Sequence, residues 1–247
     1  MIEFKNVNFS YEEEKVLNSI SFKIEKGEKV ALLGSNGSGK STILRILAGL
    51  YFTKGYLFEK KEVTKKIIDK NFRKKVSILF QNPESMIFNP SVYDEIVFSL
   101  KEFDIKIENQ VEQISDKFGI TSLLKKTPLN LSGGEKQKIV LASLLIYEPE
   151  LILLDEPTTA MDPRTTGWFI DLMIELEKTI ILATHDLSVA YEICDRAIVL
   201  NENHKIVFDG DIETLFKNRE LLLEANLIYT HKHKRKKFIN SAYHLHF

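Results

Sequence analysis

Gly34-Ser35-Asn36-Gly37-Ser38-Gly39-Lys40-Ser41-Thr42 fits the pattern G-x-x-x-x-G-K-[ST] of a phosphate-binding loop. Its flanks supply the strand-to-helix context that the pattern requires. Val30-Ala31-Leu32-Leu33 reads as a strand, and Ser41 to Leu50 carries Ile43, Leu44, Leu47 and Leu50 at helical spacing. Glycine and small polar positions let consecutive backbone N–H groups curl around phosphate oxygens at a helix N-terminus, where the dipole favours anions. In such a loop Lys40 neutralises the β- and γ-phosphates and the Ser41 hydroxyl ligates Mg²⁺. The alternative is a glycine-rich turn with no ligand, which Gly-Lys-Ser in this context disfavours; the expectation is a nucleoside triphosphate site.

Composition sets the outer limits. The 247 residues are 44% hydrophobic with a formal net charge of -1, values that suit a globular chain with a proper core and argue against a generally nucleic-acid-binding surface. Apolar runs such as Leu151 to Leu154 and Thr179 to Ala183 fall far short of the roughly 18 to 20 residues that span a bilayer, so any membrane role is expected through a partner. The N-terminus, Met1-Ile2-Glu3-Phe4-Lys5, has neither the basic nor the apolar region of a secretion signal, and a cytosolic location is expected. The lone Cys194 cannot form an internal disulfide and reads as a small buried hydrophobe.

Upstream of the loop, Ile20, Phe22 and Ile24 alternate cleanly, and Glu25 to Glu28 form a turn, so a small antiparallel sheet is expected beside the nucleotide. Tyr11 within it reads either as packing or as an aromatic that stacks on a purine. Downstream, Val76 to Phe80 form a strand with Gln81 at its end, placed to reach Mg²⁺ or the attacking water, or to act only as a cap. Helical patterns over 92–100 and 108–124 open a helical insertion, and the loop before them carries Met86-Ile87-Phe88, either buried locally or a docking patch.

Three more stretches carry chemistry. Ser132-Gly133-Gly134-Glu135 opens a long helix and is a second potential anion site, or simply an N-cap. The apolar strand Leu151 to Leu154 ends in Asp155-Glu156; in a phosphate-loop protein the first acid holds Mg²⁺ and the second can polarise a water for in-line attack. A further strand, Ile180 to Ala183, ends in Thr184-His185-Asp186 and brings an imidazole to the same edge of a parallel sheet, where open α/β sheets bind ligands. Trp168, with Leu172 and Leu176, reads as helix packing over 163–177; residues 198–208 read as a hairpin, and 211–227 as one or two short helices. The basic run His231 to Lys237 reads as a solvated tail, with contact to anionic lipid or an acidic partner next. The pairs His231/His233 and His244/His246 lack the supporting ligands of a metal site.

The ordered set of phosphate loop, Gln81, Leu-Ser-Gly-Gly-Glu, Leu-Leu-Asp-Glu-Pro, Ala160-Met161-Asp162 and His185 resembles the ATP-binding-cassette (ABC) ATPase subunits of transporters, over residues 2 to about 215. The resemblance implies an α/β fold: a P-loop NTPase core of mainly parallel sheet, a flanking antiparallel β subdomain and an inserted helical subdomain at about 82–145. A short helical extension with the basic tail occupies 216–247. Tyr11 looks like the adenine-stacking aromatic, Gln81 like the glutamine that couples the γ-phosphate to a transmembrane partner, and Asp155 like the Mg²⁺-water ligand. Glu156 matches the general base and His185 the γ-phosphate switch. Ser132, Gly133, Gly134 and Asp162 resemble the residues that meet ATP held by an opposite protomer. The implied mechanism is a head-to-tail nucleotide sandwich with a second ATPase protomer, identical or related, on transmembrane coupling or permease subunits at the cytoplasmic face of the cell membrane.

Phe80-Gln81-Asn82-Pro83-Glu84, Phe88 and Val92-Tyr93-Asp94-Glu95-Ile96-Val97-Phe98 look like energy-coupling-factor and cobalt/nickel-type importer ATPases, moving a vitamin or a transition-metal ion. Met86 departs from that pattern, where a polar residue is commoner, and Ser35 and Lys138 differ from the commoner residues of their motifs. The rivals are a conventional ABC importer or exporter ATPase and a soluble ABC ATPase acting on ribosomes or DNA. The last usually carries two cassettes or a long coiled coil, and this sequence has one cassette and no sustained heptads.

Overall fold

The computed structural model describes residues 1–228. The basic run and the His-x-His pairs lie outside the described residues. From the N-terminus, β1 (Ile2–Tyr11) and β2 (Glu14–Ile24) form a long antiparallel pair, and β3 (Lys29–Gly34) runs into the phosphate loop and α1 (Lys40–Leu47). Next come β4 (Tyr56–Phe58), β5 (Lys61–Glu62), α2 (Lys70–Lys75) and β6 (Val76–Leu79). Between β6 and β7 (Leu151–Asp155) the regular elements are all helical: α3 (Val92–Glu102), α4 (Gln110–Phe118), α5 (Gly133–Leu145) and short 3₁₀ turns. The remainder is α6 (Pro163–Glu175), β8 (Thr179–Ala183), α7 (Leu187–Ile193), β9 (Arg196–Leu200), β10 (Ile206–Asp211), α8 (Ile212–Lys217) and α9 (Arg219–Glu224).

The strands make two sheets. One is antiparallel, in the order β2-β1-β4-β5; the other runs β10-β9-β3-β8-β7-β6, with its β9 to β6 strands parallel and only β10 antiparallel. The central strands read as unbroken apolar runs because both faces of their sheet are covered. Alternate residues divide between two cores, as the two-residue strand period demands. Ala31, Leu33, Ile152, Leu154, Ile180 and Leu182 face the layer of α3 to α7. Val30, Leu32, Leu151, Leu153, Ile181 and Ala183 face α1 and the antiparallel sheet, where they meet Ile43, Leu44 and Leu47.

Two helix ends differ from the sequence reading, and two segments it left open are resolved. Helix α1 ends at Leu47, and Leu50 is 51% exposed, because Gly49 takes a left-handed φ of 72° that turns the chain out of the helix. The span 108–124 is not one helix: α4 stops at Phe118 on left-handed Gly119, and a 3₁₀ turn over 121–123 follows. Segment 51–75, lysine-rich and too weakly patterned for its sequence to assign elements, holds β4, β5 and α2, whose anchors Tyr56, Phe58 and Phe72 are buried but too widely spaced to show a period. The loop Met86-Ile87-Phe88 does both of the things open to it: Met86 and Ile87 pack half-buried against the core, and Phe88 is 79% exposed. Cys194 is buried, and burial pushes its thiol well above the usual range; Trp168 packs edge-to-face on Phe118 beneath the Lys138 ammonium.

Leu153 is fully buried in the sheet. Leu153→Ala is expected to cost about 2 to 5 kcal/mol in urea unfolding, whereas the exposed Lys66→Ala changes stability by no more than about 0.5 kcal/mol.

Candidate active site at the carboxyl edge of the parallel sheet

The strand order decides which side chains meet. β3, β7 and β8 are parallel neighbours or next neighbours, so the loop after β3 and the turns after β7 and β8 open on one edge. In the phosphate loop, Gly34 and Gly39 have φ of 154° and 109°. A Cβ at Gly34 would lie 2.6 Å from the Leu200 carbonyl oxygen, and one at Gly39 would lie 2.7 Å from that of Val16. Backbone crowds these positions from behind, so only glycine fits.

Lys40 is buried, and its Nζ donates to the carbonyls of Gly34 (2.7 Å) and Ser35 (3.1 Å). Burial pulls its pKa below the usual lysine range, against the opposing pull of the Glu156 and Asp155 carboxylates. The Ser41 hydroxyl donates to Asp155 Oδ1 at 3.0 Å. Asp155 is also buried; burial raises its pKa, the neighbouring Glu156 charge adds to the rise, and the Ser41 bond, Arg45 and Lys40 oppose it. Ser41 and Asp155 thus present two hard oxygens side by side at a buried carboxylate, a donor set that fits Mg²⁺. The Ser35 and Ser38 hydroxyls, buried inside the loop, have no hydrogen-bond partner among the described residues.

Glu156 follows at a left-handed φ of 48°, an uncommon conformation for a non-glycine residue. Its backbone N–H donates to the Ala183 carbonyl at 2.8 Å, and its carboxylate Oε2 meets His185 Nδ1 at 2.9 Å and the Thr184 hydroxyl at 3.1 Å. The carboxylate is nearly covered, while the imidazole side chain is 63% exposed. Thr184 was not singled out from sequence, although a hydroxyl one residue before the histidine was the available signal. Tyr11 reaches the same region from β1: its OH lies 3.1 Å from the Thr42 hydroxyl, and its ring packs edge-to-face on Phe9 and Tyr51. Gln81 is exposed, two residues beyond the β6 end that pairs with Leu154.

The second group lies at the N-termini of α5 and α6. Ser132 is the N-cap of α5 in a capping box, in which Glu135 Oε2 accepts from the Ser132 N–H and hydroxyl, both at 2.8 Å. The S-x-x-E spacing announces that box. Asp162 caps α6 through Arg164 and Thr165, and Gly134, Asp162 and Thr165 line a solvent-open pocket of about 210 Å³ with Ser132 and Lys138. Among the described residues, no hydrogen bond or ion pair joins Ser132, Gly133, Gly134 or Asp162 to the phosphate loop. Two links that the sequence reading missed bind α5 to its surroundings. Gln137, fully covered, donates through Nε2 to the Pro157 carbonyl at 2.9 Å, next to Glu156. Lys136 pairs with Glu84 at 2.6 Å, next to the loop that follows Gln81.

The raised pKa of Asp155 has a sign that can be checked. A carboxylate raised in the folded state stabilises the fold fully below its unfolded pKa of about 3.9, and that contribution is lost as pH rises through the folded value. Asp155→Asn is therefore expected to raise the melting temperature of the nucleotide-free protein at pH 7, with the gain vanishing in acid. Melting curves across pH check this; an equal effect at all pH values would contradict it.

Residues 17–159, more than half of the chain, match the ABC transporter family. A protein of Methanosarcina acetivorans whose name gives only the general ABC transporter ATP-binding description is 43% identical, over 96% of this chain and 92% of its own length. The energy-coupling factor transporter ATP-binding protein EcfA of Methanothermobacter thermautotrophicus is 33% identical, over 92% of this chain and 76% of its own. The solved CbiO1 of Clostridium perfringens, part of the ABC transporter complex CbiONQ, superposes with a TM-score of 0.76 at 29% identity, covering 92% of this chain and 94% of CbiO1. No helix among the described residues is long and apolar enough to cross a membrane. This chain belongs to the ABC transporter family, as an ATP-hydrolysing subunit of a transporter.

Proposed function

We propose that the chain powers a membrane importer of the energy-coupling-factor type, carrying a vitamin or a transition-metal ion, by hydrolysing ATP at the edge built from the phosphate loop, Asp155, Glu156 and His185. The observation that carries the catalytic reading is the Glu156 carboxylate, held by His185 and Thr184 beside the buried Lys40 and Asp155 charges. Tyr11 stacks on the adenine. The backbone N–H groups from Ser35 to Thr42 cradle the phosphates, and Lys40 exchanges its two carbonyl acceptors for phosphate oxygens. Ser41 and Asp155, with Gln81, would hold Mg²⁺, which supplies charge neutralisation at the β- and γ-phosphates. Glu156 accepts a proton from the water whose oxygen attacks the γ-phosphorus as the bond to the β-phosphate oxygen breaks. His185 donates to the γ-phosphate and reports its loss.

A second ATPase protomer, another copy or a relative, adds its own Ser132, Gly133, Gly134 and Asp162 to this edge; the open pocket beside those residues supports that reading. The importer type is supported by three energy-coupling factor relatives at 33 to 35% identity and by the loop after Gln81. The exposed Phe88 ring, in the loop that leads into α3, is the apolar group offered to a transmembrane coupling subunit at the cytoplasmic side, with the exposed Tyr93 and Phe98 on different sides of that helix. The buried Glu95 carboxylate pins that loop by accepting from the Phe88 and Asn89 N–H groups at 3.0 and 2.9 Å.

Glu156→Gln is expected to lower phosphate release by about 10²- to 10⁴-fold with ATP affinity retained, as phosphate assay and nucleotide titration will read; unchanged turnover removes Glu156 as the base. For the transport type, the tagged chain is extracted from its own membranes in mild detergent and its companions identified by mass spectrometry. One polytopic coupling protein with small integral membrane binders is expected. Paired conventional permeases would place the chain in an ordinary ABC transporter.

A further inference from the structure

The turn between β9 and β10 contains a residue whose backbone and side chain do unusual things together. His204 has a left-handed φ of 58°, a conformation that glycine adopts without steric cost. The turn does not need its ring: Asn201 closes it, with backbone bonds from Asn201 to Lys205 (3.0 Å) and His204 to Asn201 (3.0 Å), and Asn201 Oδ1 accepts from the Asn203 and Lys205 N–H groups. The half-buried ring instead reaches the phosphate loop, with Nδ1 3.3 Å from the Ser38 carbonyl oxygen. A carbonyl only accepts, so Nδ1 carries the proton in this contact. The His204 carbonyl in turn accepts the Asn18 N–H at 3.0 Å, on the strand whose Val16 carbonyl crowds Gly39.

The geometry of the peptide unit gives this contact a consequence. No peptide bond among the described residues is cis, and in a planar trans unit the C=O and the following N–H point in opposite directions. Holding the Ser38 oxygen outward against His204 therefore turns the Gly39 N–H toward the inside of the loop. Gly39, with its φ of 109° and no side chain, would otherwise allow that peptide to rotate.

We propose that His204 is a positioning residue for nucleotide binding, a brace on the outer side of the phosphate loop that fixes the Ser38–Gly39 peptide with its N–H facing the phosphates. The proposal rests on the loop being the phosphate site of ATP. A brace of one hydrogen bond predicts an affinity loss of about threefold to tenfold when it is removed.

Two variants of the full chain separate the brace from mere folding. His204→Gly suits the left-handed turn and deletes the ring, whereas His204→Phe keeps a ring of similar bulk without the N–H. Both are titrated with ATP and ADP, assayed for KM and kcat, and melted without nucleotide. Expected are weaker binding of both nucleotides and a raised KM with kcat within about twofold, and for His204→Gly a melting temperature equal to or above that of the natural chain. Unchanged affinity in His204→Gly overturns the proposal, as does an affinity loss that comes with an equal loss of thermal stability. If the natural chain itself fails to bind ATP, the loop's assignment fails first, and the brace with it.

Discussion

An ammonium, two carboxylates and an imidazole meet at one edge of the sheet. β3 lies beside β8, and β8 beside β7, all running the same way, so the fold cannot form without carrying Lys40, Asp155, Glu156 and His185 to the same place. Burial opposes the charge on Lys40 and on Asp155, and the protein offsets part of that cost with local partners: two loop carbonyls for the lysine, a serine hydroxyl for the aspartate. These partners are neutral, and hydrogen bonds to them are weaker than those between two charged groups. The edge is held ready by the packing of the sheet rather than by its own interactions, which is what an electrostatically preorganised site requires.

The residues proposed to meet a second protomer are likewise set by their own chain. Ser132 and Asp162 cap their helices from their own chain, and they share a pocket that opens to solvent. Side chains that would complete an ATP site from outside are thus already fixed in rotamer before a second protomer arrives, which lowers the ordering cost of association. The covered Gln137 ties the capped helix to the turn that carries Glu156, and Lys136 ties it to the loop after Gln81. Helix α5 is thus tied directly to the turn that carries Glu156 and to the loop that carries Phe88.

Much of this was legible in the sequence because the chemistry is local. The phosphate loop, the acidic strand end and the histidine strand end each lie within a few consecutive residues, and apolar runs such as Leu151 to Leu154 announce strands covered on both faces. The relations between segments were not legible. The place of Thr184 before His185 hints at a role but does not name Glu156 as its partner, and nothing near His204 states that its ring will touch Ser38, because both contacts are made by strand order rather than by spacing. The segment 51–75 hid its strands for a different reason: its anchors Tyr56, Phe58 and Phe72 are too few among lysines for a period to emerge. Helix ends failed at Gly49 and Gly119, where a left-handed glycine outweighed the apolar residues beyond it.

Whether Lys40 gives up the loop carbonyls for a triphosphate is answered by the structure of the Glu156→Gln chain with Mg²⁺ and ATP. Expected is Lys40 Nζ withdrawn from the Gly34 and Ser35 carbonyls and placed within about 3 Å of phosphate oxygens, with Ser41 and Asp155 facing the ion. Lys40 still seated on the loop carbonyls, with the triphosphate bound elsewhere, would contradict that exchange.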